Sequence, residues 1–270
     1  MNYQHVYHAG NFADVSKHTL LILLLQHLQK KEAPYCFIDT HAGAGGYDLS
    51  SAPVQKTGEY REGVQRLLTH KGPLPDTLAT LTKLLQQPRY CRNGQLFFYP
   101  GCPEVAKTLL RPQDRMVLNE YHPQVYQALK QYMGRDKSIA VHQRDAYEFL
   151  PAVVPPKEKR GLVLVDPPFE KPTEFQDINA CLQKALTRWP TGVYLIWSPI
   201  TGRTPANPTP LVLRSIRQPT LTLEFTVSTL IPQVSGLVGC RYWIINPPFQ
   251  FESEARTLLT YFGSLFSTQK

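Results

Sequence analysis

Four residues near the middle of the chain, Asp166-Pro167-Pro168-Phe169, bring together groups that could do chemistry. A carboxylate accepts hydrogen bonds from an amino group, a proline offers a carbonyl without an N–H, and an aromatic face can stack on a planar ring. The run before them, Gly161-Leu162-Val163-Leu164-Val165, is short, branched and bounded by Gly and Pro. That is the composition of a buried strand in a parallel sheet. Two prolines forbid both helix and ladder, so the backbone leaves the strand end stiff and extended. In open α/β sheets ligands bind outside the C-terminal ends of the strands, where this acid stands. The tetrapeptide has a twin, Asn246-Pro247-Pro248-Phe249, and only one of the two can be the reactive loop.

Three further acids hold comparable positions. Asp39 closes the strand-like run Tyr35 to Asp39 and is followed by Thr40-His41-Ala42-Gly43-Ala44-Gly45-Gly46. A strand followed by Gly-x-Gly opens a nucleotide-binding βα unit, in which glycines let the backbone approach a ligand. No Gly-Lys-Ser/Thr follows, which argues against a P-loop and ATP phosphate chemistry. Glu120 ends the strand from Met116 and is placed to bind a ribose diol with both oxygens. Asp145 follows the strand Ser138 to His142 and can accept the exocyclic amine of an adenine. Any one of these acids would serve equally as a helix cap. Acids at four strand ends are harder to assign to capping alone.

The elements that must position these acids can be read in outline. A helix from about Ala13 to Lys30, apolar on nearly all sides over Leu20 to Leu25, is expected to pack on the sheet. Residues 46–95 lack a convincing second strand and read as a small helical insertion within a single domain of residues 1–270. Its helices run from Tyr60 to Leu68 and Asp76 to Gln86, and Arg61, Arg66, Lys71, Lys83, Arg89 and Arg92 offer either a phosphate-binding surface or a solvated helical face. Further helices are expected over Glu104 to Leu110, Tyr121 to Met133, Glu174 to Trp189 and Leu211 to Ile216. Strands are expected over Gly192 to Trp197, Leu221 to Thr229 and Cys240 to Asn246. About seven strands alternating with helices make an α/β, doubly wound sheet.

Composition bounds the function. The 270 residues are 42% hydrophobic and 19% charged, as in an ordinary globular protein. Twenty-nine Lys and Arg against 21 acids give a net charge of +8, which favours a polyanionic partner. Five widely spaced cysteines without a Cys-x-x-Cys pair fit a reduced compartment and neither a zinc site nor a disulfide framework. His5, His8 and His18 match no zinc spacing, so no metal is expected. They read better, with Tyr3 and Tyr7, as an aromatic strip at a pocket mouth where a tyrosine could stack on a base; ordinary surface aromatics near a terminus are the other reading. No apolar run approaches the ~20 residues of a membrane span, no signal-peptide pattern is present, and a cytoplasmic location is expected.

Asp166-Pro167-Pro168-Phe169 resembles the catalytic tetrapeptide of amino-group methyltransferases, which use S-adenosylmethionine to methylate adenine N6 or cytosine N4. That fold holds its cofactor at the first three strands and its reactive loop after the fourth. Leaving aside the short strand before Gly101, Asp166 ends the fourth strand from Asp39. Asn246 ends the last strand, which in that fold is antiparallel, so Asn246 is expected to be a structural mimic. An adenine amino group is a poor nucleophile because its lone pair is delocalised into the ring. An Asp166 oxygen and the Pro167 carbonyl holding its hydrogens would favour charge developing on nitrogen, with Phe169 stacked on the flipped base.

The resemblance extends along the chain. His8-Ala9-Gly10-Asn11-x-Ala13-Asp14-Val15-x-Lys17-His18, Asp39 to Gly45, Thr57-Gly58-Glu59-Tyr60, Tyr99-Pro100-Gly101, Glu120-x-His122-Pro123 and Asp166 to Phe169 are similar, in order, to the RlmJ family of bacterial 23S ribosomal RNA adenine-N6 methyltransferases. The resemblance implies a Rossmann-like class I fold and an S-adenosylmethionine site made by Lys17, His18, His41, Cys102, Glu120, Asp145, Ala146 and Asp166. It also implies Asp166 as the catalytic residue, Tyr3 touching the RNA, and a monomer acting on protein-free or early-assembly 23S RNA. The family commonly has Ser where Cys102 stands and Tyr where Phe169 stands. Phe keeps the stacking face, whereas a thiol is the poorer hydrogen-bond partner. A DNA adenine-N6 methyltransferase and a non-catalytic RNA-binding protein that keeps the fold remain as alternatives.

Overall fold

The computed structural model describes residues 4–201, 207–227 and 236–267. Seven strands form one sheet: β1 (Cys36–Asp39), β2 (Arg115–Asn119), β3 (Ile139–His142), β4 (Gly161–Val165), β5 (Val193–Thr201), β6 (Thr220–Thr226) and β7 (Leu237–Ile245). Their order is β6-β7-β5-β4-β1-β2-β3. The pairs from β3 through β5 are parallel, and β7 runs antiparallel to both β5 and β6. The central strands are buried on both faces, so β1 and β4 need unbroken apolar runs. At the edge, β6 alternates, with Leu221, Leu223 and Phe225 inward and Thr222 and Glu224 outward. The chain winds one way from β1 to β3 and the other way from β4 to β5. Between the C-terminal ends of β1 and β4 this reversal leaves a crevice.

The helices divide between two faces. Phe37, Met116, Leu118, Leu162, Leu164 and Leu195 pack under α1 (Phe12–Gln29), with α4 (Asp76–Leu85), α5 (Cys102–Lys107) and α10 (Phe251–Phe266) in the same core. On the other face Ile38, Val163, Val165, Tyr194 and Ile196 meet α7 (Ala146–Val153) and α8 (Glu174–Arg188). As its all-round apolar sequence requires, α1 is buried except at Phe12, Gln26 and Gln29. Asn11 caps it by accepting a hydrogen bond from the Asp14 N–H at 3.0 Å, which leaves the Asp14 carboxylate for other work.

Residues 46–100 carry α2 (Ala52–Thr57), α3 (Val64–Thr69) and α4, but not helices alone. Gly46–Asp48 pairs with Phe98–Pro100, and Cys91–Arg92 pairs with Gln95–Leu96, both outside the main sheet. The segment shares the α1 core through Val54, Val64, Leu67, Leu78 and Leu81. Of its cations, Arg66 donates to the Phe266 and Ser267 carbonyls and Arg89 pairs with Glu104, whereas Lys71 and Lys83 are exposed. Three helices, α2, α7 and α10, lie beyond what the sequence reading assigned. Pro151 stands inside α7 and reads as a breaker, yet the first turns precede it. The α10 signal was present, in Phe251, Ala255, Leu258, Leu259 and Phe262 at helical spacing.

Candidate active site

A cavity of 590 Å³ opens at the crevice between β1 and β4. This lies within the range of small-molecule sites. α1 supplies Asp14, Lys17 and His18 to its wall; the loop after β1 supplies His41, Ala42 and Gly43; the end of β2 supplies Glu120, Tyr121 and His122. Gly101 and Cys102 enter from the head of α5, and Asp166, Pro167 and Pro168 from the end of β4. Trp197, midway along β5, completes the side next to Asp166.

The glycine loop is shaped by what packs behind it. Gly43 has φ +62°, and a Cβ there would meet the Tyr47 hydroxyl at 2.5 Å. Gly45 accepts a hydrogen bond from the Gly101 N–H at 2.9 Å, so the Tyr99-Pro100-Gly101 turn closes onto the loop. Glu120 is fixed by the Gly43 and His122 N–H groups, at 3.0 and 2.8 Å. Burial still pushes its carboxyl above the usual range.

An ion network lies at the floor of the cavity. The Lys17 ammonium is 2.5 Å from Asp166 Oδ2 and 3.2 Å from Asp14, and lies over the Trp197 ring at 5.5 Å. Burial disfavours the ammonium, but Asp166 and Asp14 hold its pKa well above 10.5. Burial likewise opposes ionisation of Asp14, and His5 at 3.0 Å together with Lys17 holds its carboxyl well below the usual range. Burial keeps two histidines of the wall neutral, lowering His18 to about 3 and His41 to about 4. His18 shares a hydrogen bond with the Tyr99 hydroxyl at 2.9 Å and stacks on its ring. Asp39 is fully buried and raised to about 8 by burial; its Oδ1 accepts from the His41 N–H, while its buried Oδ2 has no partner among the described residues.

Of the residues expected at the site, Lys17, His18, His41, Cys102, Glu120, Asp166 and Pro167 line this one cavity. Cys102 is buried, and that burial raises its thiol well above the usual range. Asp145 and Ala146 stand at the head of α7, outside the lining, and Asp145 Oδ1 caps the helix by accepting from the Tyr147 and Glu148 N–H groups. Phe169 also lies off the wall, its ring against Phe175 and Trp197 at 5.1 and 5.9 Å between centroids. Tyr3 lies outside the described residues.

Sequence reasoning missed Asp14 and Trp197 as site residues. The spacing of Asp14 and Lys17, three apart on one helix face, was a usable signal; nothing marked Trp197. The N-terminal histidines take different partners. His8 is 2.9 Å from Glu59, which also accepts from Asn11, and the Thr57 hydroxyl bonds the Tyr7 carbonyl. The His8 to Asn11 and Thr57 to Tyr60 motifs, far apart in sequence, are thus one packed unit that holds residues 5–8 at the cavity mouth.

The twin motif is placed elsewhere. Asn246 follows antiparallel β7, so it emerges at the end of the sheet opposite the cavity. There its amide donates to the Pro190 and Gly192 carbonyls, each at 2.8 Å.

A mostly parallel seven-stranded sheet in this order, with an antiparallel strand inserted beside the edge and the strand-end acids Glu120 and Asp166 on one cavity, has the Rossmann-like class I methyltransferase fold. Residues 32–269 match the family model described as RsmJ: Ribosomal RNA large subunit methyltransferase D, RlmJ, and the chain belongs to that family. It is 34% identical to the ribosomal RNA large subunit methyltransferase J of Escherichia coli K12, over 98% of this chain and 93% of that protein. To the protein of the same name from Haemophilus influenzae it is 36% identical, over 97% and 92%. The solved structure of protein LPL1258 from Legionella pneumophila superposes with a TM-score of 0.86 at 35% identity, covering 96% of this chain and 94% of that one.

Proposed function

We propose that the protein methylates the N6 amino group of an adenine in 23S ribosomal RNA, using S-adenosylmethionine, with the base turned out of its stack into the pocket at Asp166-Pro167-Pro168-Phe169. One observation carries the reading: Asp166 ends a parallel strand on the wall of the cavity, beside a lysine that occupies only one of its oxygens. Among the described residues Asp166 Oδ1 carries no hydrogen bond, so it is available to an amino group.

The residues fit the cofactor. The charged side chains on the wall are Asp14, Asp48, Glu120 and Asp166 against Lys17, an excess of acid suited to a cationic sulfonium and amine. Gly43 presents bare backbone to the wall, and among the described residues the buried His122 Nδ1 beside it has no hydrogen-bond partner. Lys17, His18, His41, Cys102, Glu120 and Asp166 would hold the cofactor, Glu120 through the ribose diol. Asp145 and Ala146 would join them from the head of α7, where Asp145 Oδ2 is not used in capping. When bound, S-adenosylmethionine supplies a methyl group on an electrophilic sulfonium.

The chain's own work is orientation. Asp166 Oδ1 and the Pro167 carbonyl accept the two amino hydrogens, which draws the nitrogen lone pair out of the ring and stabilises positive charge developing there. Lys17 holds the Asp166 carboxylate in one rotamer, and Phe169 and Tyr3 supply stacking faces for RNA bases. The substrate on this reading is protein-free or early-assembly 23S RNA, met in the cytoplasm by a monomer. Among the described residues, no helix is long and apolar enough to cross a membrane.

Labelled methyl transfer into protein-free ribosomal RNA tests the proposal. Wild type is expected to incorporate label into N6-methyladenosine, and Asp166→Ala to do so at least about a hundredfold more slowly. No incorporation by wild type, or equal incorporation by Asp166→Ala, overturns it. Preferential labelling of duplex DNA would replace RNA by DNA as the substrate.

A further inference from the structure

Phe169 is the one aromatic residue among the described positions with positive φ outside glycine, at +52°. A bulky side chain in the left-handed region is strained, and such strain persists only where the surroundings over-determine the backbone. Upstream, the loop is pinned by Lys17 on Asp166. Its downstream anchor is Glu174, the first residue of α8.

Glu174 is 3% exposed. Its Oε2 accepts from the Lys171 N–H at 3.4 Å, its own N–H donates to the Lys171 carbonyl at 3.1 Å, and its Oε1 accepts from the Tyr147 hydroxyl. Tyr147 belongs to α7; its N–H is capped by Asp145, and its ring meets the His41 ring edge-on at 6.0 Å. The bond between Tyr147 and Glu174 therefore spans from the loop after β4 to the helix after β3, with His41 of the cavity wall resting on the bridge. No cation pairs with Glu174 among the described residues, so this buried carboxylate is not explained as an ion pair that stabilises the fold.

We infer that Tyr147 and Glu174 are positioning residues, whose hydrogen bond fixes the downstream end of the Asp166-Phe169 loop and couples it to the His41 wall. The inference rests on the proposed methyl transfer for its catalytic consequence, but not for its structural one. Tyr147→Phe removes one hydroxyl and keeps the ring; Glu174→Gln keeps an acceptor oxygen for that hydroxyl; Glu174→Ala does not.

Hydrogen exchange read on residues 166–173, with steady-state methylation of protein-free ribosomal RNA, tests it. Tyr147→Phe and Glu174→Ala are expected to exchange faster across 166–173. Their kcat should fall by about tenfold, because small displacements of a reacting group cost rate steeply, while KM for S-adenosylmethionine stays within about twofold. Glu174→Gln should restore both readings most of the way to wild type. Unchanged exchange in Tyr147→Phe, or wild-type kcat in that variant, overturns the inference. Should wild type itself methylate no RNA, the proposed function fails, and the exchange of 166–173 still decides whether the pair fixes the loop.

Discussion

Asp166 to Phe169 and Asn246 to Phe249 differ in one side chain by composition and in almost everything by environment. The first ends a parallel strand, opens on the cavity and places its acid against a buried lysine; its aromatic ring packs between Phe175 and Trp197. The second ends an antiparallel strand at the opposite end of the sheet from the cavity, where Asn246 ties down two carbonyls and Phe249 is 87% exposed. Both contain a residue with positive φ, but the first strains a phenylalanine and the second an asparagine, which tolerates that region. A short motif carries chemistry only where strand direction aims it at a cavity and a charged partner awaits it.

The comparison breaks most severely where that charge is removed. Lys17→Ala leaves Asp14 and Asp166 facing each other in a buried site and is expected to lower stability by about 3–5 kcal/mol, read from the denaturant midpoint. Asp166→Ala keeps Lys17 paired with Asp14, so the fold should survive while the methylation rate falls by about 10²–10³-fold. Asn246→Ala should leave the rate per folded molecule unchanged. Its cost is stability, about 1–2 kcal/mol for two lost hydrogen bonds, read by thermal unfolding.

The cavity end also carries a pH signature through Asp39. Its folded pKa of about 8 lies above the ordinary aspartate value of 3.8, so the native state binds the extra proton between those limits. Stability from this group is therefore fully present below about pH 4 and is lost as pH rises through 8. Measured against Asp39→Asn, the wild type should lose ground from pH 4 to 8, with a slope of at most about 1.4 kcal/mol per pH unit, and the difference should level above that window. A constant difference across pH 4–9 would mean that Asp39 is ionised in the folded protein.

The strands and the acids at their ends were legible because burial on both faces demands unbroken apolar runs, and because each acid interrupts such a run. Strand order separated the twin motifs for the same reason. What could not be read was long-range pairing. Glu59 lies 51 residues from His8, and Tyr147 lies 27 from Glu174, and no periodicity links either pair. Asn11 caps the first helix, and only the folded chain shows the Asp14 carboxylate turned to His5 and Lys17. The direction of the Phe169 ring depends on a left-handed backbone that a stiff Pro-Pro pair does not announce.

That ring gives the finest distinction between the two loops. Phe249→Ser removes an exposed side chain and is expected to change stability by less than about 0.5 kcal/mol and activity not at all. Phe169→Leu keeps apolar bulk against Phe175 and Trp197 while removing the flat face. If the flipped base stacks on Phe169, the substitution should weaken kcat/KM for RNA by about 1–3 kcal/mol and leave cofactor binding intact. The ring must then turn from Trp197 toward the cavity during the reaction, and tryptophan fluorescence should report it, since Trp189 and Trp243 are buried whereas Trp197 faces the cavity. A Phe169→Leu enzyme with wild-type kcat/KM would make Phe169 a packing residue like any other in that core, and would shift the stacking role to the wall of the cavity itself.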